Sequence, residues 1–191
     1  GVYGHARPEG YTSMVTLVFG RRAGLFAAQY SKEVDEPRLD GETVQASLDR
    51  ATALIERTGP LKSRDLKAQV QAAMRQHAWV IKDEDGLRRG LETIREIRDI
   101  QRVKALQSTI KTSARDGNEW ATAIEVPNML LCSELMLLSA IERKESRGAF
   151  FRDDYPLADN VNWLKNIVCR QLDGEPVLET ASVDLKYCRP D

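Results

Sequence analysis

"VPNMLLCSELMLLSAI", residues 126–141, is apolar nearly all the way round, interrupted only by Asn128, the pair Ser133–Glu134 and Ser139. A helix with no polar face belongs in the middle of a fold. Residues 120–144 are therefore expected to form the buried central helix of a bundle, bent or entered at Pro127. The spacing places residues 129–141 as its most buried part, with Cys132 a free thiol inside it. Leaving the leucines in water would cost about 1.5–3 kcal/mol each.

The segments ahead of it supply partners. Leu87, Leu91, Ile94 and Ile97 recur at helical intervals in a helix beginning near Asp83, and mixed-sign charges fill its other side through Lys104. Before that, Leu66, Val70, Ala73, Met74, His77 and Ile81 share one face, with Ser63 placed to cap the start. Earlier still, Val44, Leu48, Ala51 and Ile55 keep helical spacing until "TGP" at 58–60 stops the run. Downstream the texture changes. "NWLKNIVCRQ" (162–171) and "PVLETASVDL" (176–185) flank a "DGE" turn and read as a β-hairpin.

The expected fold is mainly α: a bundle of three to four helices with an N-terminal glycine-rich turn plus helix and a C-terminal β-hairpin. "SKEVDEPRLDGE" (31–42), with Pro37 and Gly41, reads as a linker. The expected units are 1–34, a helical bundle over 42–150, and a loop and hairpin over 151–191.

Composition narrows the function classes. With 28 basic against 29 acidic residues the net charge is -1, so no global field draws the chain to nucleic acid or an anionic membrane. The longest apolar run, about 129–140, is roughly half of a bilayer span, and no direct membrane insertion is expected. Cys132, Cys169 and Cys188 are odd in number and far apart, and only His5 and His77 could join them. That pattern predicts no metal site and a reduced, cytoplasmic setting. His77 lies on an apolar stripe and reads as a core histidine; "DEDG" at 83–86 lacks the ligand spacing of a calcium loop and reads as a helix start.

Two segments rise above this background. "SAIERKESRGAFFRDDYP" (139–156) resembles the C-terminal helical region of the succinate dehydrogenase and fumarate reductase flavoprotein family, which carries ESRG followed by an arginine, an acid and a proline. "AMRQHAWVIKDEDGL" (73–87) and "AIEVPNMLLCSEL" (123–135) are similar to that family's preceding helices. "YGHARPEGYTSMVTLVFGR" (3–21) resembles the family's flavin and substrate segment, HGANRLGGNSLLEALVFGR, without a gap. It departs from that segment at Ala6, Pro8 and Tyr11, and Phe150 stands where the family has histidine.

The resemblance implies the C-terminal portion of an FAD-dependent oxidoreductase similar to fumarate reductase, succinate dehydrogenase or L-aspartate oxidase. Its chemistry would be hydride transfer between flavin N5 and a small carboxylate. It implies Arg7 as the catalytic clamp and proton relay, since a planar guanidinium suits a carboxylate. Thr12 and Ser13 would contact the flavin. The expected partners are the protein's own N-terminal FAD domain and an iron–sulfur subunit, which would bring the protein to the inner face of the membrane. The rival reading is a non-catalytic helical module docking a redox subunit, with Glu145 and Arg147 pairing at a helix end and Gly148 as its stop. The apolar face of residues 14–30 would pack on the FAD domain, and without that domain it would fold back or be covered by a second copy. The chain alone is expected neither to hold FAD tightly nor to reduce fumarate.

Overall fold

The computed structural model describes residues 11–36, 38–53, 56–57, 61–103, 106–109 and 117–184. The glycine-rich turn with His5 and Arg7, Pro37, Ile55, "TGP" and Cys188 lie outside them. Among the described residues the chain runs α1 (Tyr11–Glu33), α2 (Gly41–Thr52), β1 (Glu56–Arg57), β2 (Leu61–Lys62), α3 (Ser63–His77), β3 (Ile81–Lys82), α4 (Glu84–Val103), β4 (Leu106–Thr109), α5 (Gly117–Glu142), β5 (Phe151–Arg152), β6 (Lys165–Leu172) and β7 (Glu175–Ser182). It divides into two compact units, Gly1–Leu48 and Asp49–Asp191.

In the first unit α1 extends the expected helix at both ends. Among the apolar residues of α1 whose burial is described only Val15 is buried, while Leu17, Val18, Phe19, Phe26 and Tyr30 are exposed. The first turns of α2 are set by Asp40, whose carboxylate accepts the N–H groups of Glu42 (3.2 Å) and Thr43 (3.3 Å). That is an N-cap satisfying donors the helix itself leaves unpaired. The linker reading of this stretch had passed over it.

The second unit is built on three helices. Leu66, Val70 and Ala73 of α3, Leu87, Ile94 and Ile97 of α4, and Ala123, Val126, Leu130 and Leu137 of α5 form one core. The expected stripes of α3 and α4 thus face inward, except that α3 ends at His77 and Ile81 passes into β3, largely exposed. Within α2 no residue is buried, so it adds nothing to that core. Ser63 is not the expected cap: it is the first residue of α3, and its N–H donates to Glu119 Oε1 of α5 at 3.1 Å.

The central helix departs from the expectation in several ways. α5 runs through Pro127 as one helix, and its burial is one-sided: Leu130 and Leu137 are buried, but Leu131 and Met136 are exposed. Cys132 is a free thiol, yet exposed rather than inside. Also, the span Glu119–Glu142 is long and apolar enough to cross a membrane by length and composition, because isolated serines and asparagines do not break the hydropathy as they break an apolar run. Its setting is that of a core helix: Glu134 is buried and ion-paired to Arg95 (2.8 Å) and Arg98 of α4. Those arginines belong to the mixed-sign side of α4, which is therefore not wholly given to solvent.

Close approach of α3 and α4 depends on Gly90, which is buried. A methyl there would lie 2.7 Å from His77 Cβ and 3.2 Å from Leu137 Cδ2. His77 is half-buried at this crossing, so its role is packing. Overpacking costs about 1–3 kcal/mol and alanine returns about 1 kcal/mol of helix propensity. Gly90→Ala is expected to be a net loss of up to about 2 kcal/mol in urea unfolding; a raised midpoint would mean the helices part without cost.

The hairpin is as expected. β6 and β7 pair antiparallel from Lys165↔Ser182 to Leu172↔Glu175. Asp173 (φ 51) and Gly174 (φ 86) occupy the turn, the two positive-φ positions of a type I′ loop, which matches the twist of the strands. Trp163 lies just before β6 rather than in it.

Candidate functional site

The sequence singles out two places, the N-terminus of α1 and the segment after α5. At the first, Thr12 and Ser13 sit in the opening turn of α1, both exposed, and their carbonyls accept the Thr16 hydroxyl at 2.8 and 3.0 Å. No acidic residue lies in this turn. A helix N-terminus without a carboxylate presents N–H groups and positive partial charge to a polar ring edge or anion. Arg7, just ahead in the chain, lies outside the described residues.

The second place is a buried ionic network. Glu145 is fully buried and takes a two-pronged bond from Arg147 (2.9 and 2.8 Å), a bond from Arg143, and the N–H of Asp159 at 2.9 Å. Burial opposes its ionisation, but the bonds from Arg147, Asp159 N–H and Arg143 outweigh that and hold its carboxyl below the usual range. The Glu145–Arg147 pair is therefore present as the structural reading expected. Gly148 is not a helix stop, because α5 ends at Glu142. With φ 63 it makes the tight turn across which Arg147 and Phe150 exchange both backbone bonds (2.9 and 3.1 Å).

Arg152, which sequence reasoning quoted only as part of a pattern, is the centre of the region. It is completely buried. Its Nη1 donates to the carbonyls of Ala140 (2.8 Å) and Ile141 (3.3 Å), capping the C-terminus of α5. Its Nη2 reaches Glu84 Oε2 (2.8 Å) in the first turn of α4, and its Nε reaches Asp154 Oδ1 (2.8 Å). Asp154 in turn accepts the Glu84 N–H at 3.0 Å, and Asp83 caps α4 through the Gly86 N–H at 2.6 Å. One guanidinium thus ties the negative end of the α5 dipole to the start of α4. The "DEDG" stretch is a helix start, as read.

Bonding to Arg152 holds the carboxyls of Asp154 and Glu84 below their ordinary values against the opposing effect of burial. Carboxylates depressed in the folded state contribute stability that is present above their unfolded values and lost as pH falls through the folded ones. The melting temperature is expected to hold steady down to the ordinary glutamate value of 4.5 and to drop below it. In the Arg152→Met variant the slope of that drop should shrink, and an equal slope would show that these groups do not carry it.

The network is salt-bridged on every side, and among the described residues no cluster of three metal-binding side chains occurs. Its charges are spent on one another, so that it clamps the end of α5 to the start of α4. The reactive candidate remains the α1 terminus.

Residues 67–191 match the family described as fumarate reductase flavoprotein C-term. The chain is 29% identical over 201 residues to the succinate dehydrogenase flavoprotein subunit of Rickettsia bellii, covering 99% of this chain and 33% of that protein. It is 33% identical over 172 residues to an uncharacterized FAD-dependent oxidoreductase of Methanocaldococcus jannaschii, covering 89% and 30%. Among solved structures, the Mycobacterium smegmatis Sdh1 complex in its apo form superposes with a TM-score of 0.75 at 32% identity, over 91% of this chain and 30% of that one. The chain therefore spans about a third of the length of the relatives it matches. With the family match running from α3 through the hairpin, this chain belongs to the fumarate reductase and succinate dehydrogenase flavoprotein family and carries its C-terminal helical region.

Proposed function

We propose that the chain is the C-terminal part of an FAD-dependent oxidoreductase acting on a small carboxylate, with residues 1–34 closing the flavin site, 42–150 forming the helical domain and 151–191 its loop and hairpin. The observation that carries this reading is the opening turn of α1, exposed, hydroxyl-bearing and free of acid, in a chain of this family. Those features fit one wall of a flavin site: Thr12, Ser13 and the N–H groups of the turn can bond the polar edge of the ring. FAD, when bound, supplies the two-electron redox chemistry. Arg7 holds the substrate carboxylate in its fork and moves a proton at the substrate carbon.

The exposed face of α1, with Leu17, Val18, Phe19 and Phe26, suits burial against the FAD domain of the longer protein or, failing that, a second copy. A second role in docking an iron–sulfur subunit is supported by Trp79, Val80 and Ile81, three consecutive large apolar residues that stay exposed beside α3. The free thiols of Cys132 and Cys169 fit a reduced, cytoplasmic setting, with the protein held at the inner face of the membrane through partner subunits.

A dinucleotide needs its pyrophosphate on a helix N-terminus after a strand and its ribose held by an acid further on, and residues 1–191 offer no such fingerprint. Purified 1–191 is expected to be colourless after gel filtration with added FAD and inactive towards fumarate, whereas the full-length protein is yellow. Loading of FAD onto 1–191 would refute the single-wall reading, and a colourless full-length protein would refute the flavoenzyme.

A further inference from the structure

Within the second unit, between the end of α5 and the hairpin, lies a groove-shaped cavity of about 710 Å³, in the range of small-molecule sites. Its walls are mainly apolar, with Met136, Phe150, Trp163, Leu164 and Ile167 contributing most of the large side chains. Every charged side chain lining it is a cation: Lys82, Arg143, Arg147 and Lys165. Glu145 stands behind the wall and neutralises the two arginines. The two lysines make no ion pair among the described residues. Lys82 Nζ spends two donors on the carbonyls of Trp79 and Val80, each at 3.0 Å, and lies 4.8 Å from the centre of the Phe150 ring. Lys165 Nζ lies 4.6 Å from the centre of the Trp163 ring.

Two half-buried ammonium groups on one apolar cavity, with no carboxylate among its lining residues, are complementary to a single kind of guest. We infer that this cavity binds an amphipathic organic monoanion, its carboxylate or sulfonate head between Lys82 and Lys165 and its apolar body along Met136, Leu164 and Ile167. The aromatic rings hold the two cations on the cavity wall through cation–π contact, and a charge-assisted bond from each would replace water at the head group. Burial, with the nearby Arg152 charge, pushes the Lys82 ammonium down, a cost that an entering anion relieves. Ser139 and Asn166, also on the wall, offer neutral donors for orientation. This inference does not rest on the flavin reading, since it concerns residues of Asp49–Asp191 alone.

The test is calorimetric titration of the 1–191 chain with sodium 1-naphthaleneacetate and, in parallel, with 2-(1-naphthyl)ethanol, a neutral molecule of nearly the same shape. The anion is expected to bind about tenfold tighter than the alcohol. Lys165→Met should bring the anion down to the alcohol's affinity and leave the alcohol unchanged, while Lys32→Met, in the other unit, should alter neither. Lys82→Met is the second variant, each checked for native helicity by circular dichroism. Equal affinity for anion and alcohol in the unaltered chain, a preference that survives both lysine substitutions, or no heat at millimolar ligand would each overturn the inference.

Discussion

Arg7→Lys in the full-length enzyme is expected to lower turnover by about a hundredfold or more while flavin content stays the same. Lysine keeps the positive charge, so non-directional attraction for a carboxylate survives. What it loses is the planar fork that fixes both oxygens at once and so orients the reacting carbon. An orientation defect falls on kcat rather than on cofactor affinity, and the flavin contacts proposed for Thr12 and Ser13 are not on that side chain. Steady-state kinetics with fumarate, together with the flavin absorbance of the purified variant, separates the two. Normal turnover would remove Arg7 from the active site, and loss of flavin with turnover would make it a folding or cofactor residue instead.

The second large effect is on stability. Arg152→Met is expected to cost about 3–5 kcal/mol in urea unfolding, the range for breaking a buried charge network by removing one partner. The side chain is fully buried, so no water replaces it. Its removal strips the cap from the Ala140 and Ile141 carbonyls and leaves Asp154 without its cation, while Glu84 keeps only Arg88, on its other oxygen. Against a typical total of about 5–15 kcal/mol this is a large fraction. Arg152→Lys should recover part of the loss, because one ammonium can reach either the carbonyls or the carboxylates but not both. A loss below about 1 kcal/mol for the methionine variant would place the network in the weak class of surface pairs.

Much of the fold was legible because it is written in local periodicity. The i, i+3, i+4 pattern of Leu66, Val70 and Ala73, and of Leu87, Ile94 and Ile97, fixes which faces of α3 and α4 turn inward whatever they turn toward. The Asp173–Gly174 pair specifies its hairpin through two residues that tolerate positive φ. Glu145 and Arg147 lie close enough in the chain to pair within one turn. Family membership, too, was written in short contiguous segments.

What only the tertiary structure decided are contacts between residues far apart in sequence. Nothing local marks Arg152 as the tie between α5 and the Glu84 end of α4, a pairing across 68 positions. Nor does anything local mark Glu134 as the partner of Arg95 and Arg98. A helix apolar all round carries no signal for which side will be covered, so Cys132, Leu131 and Met136 could be assigned to solvent only once α3 and α4 had taken the opposite face. Gly90 is the same lesson in reverse: a glycine within a helical stripe looks like a propensity cost, and only the 2.7 Å between His77 and a methyl placed there shows that the crossing of two helices requires it. Periodicity is a property of one segment, whereas charge pairing and close packing are properties of two, and the second segment is supplied by the fold.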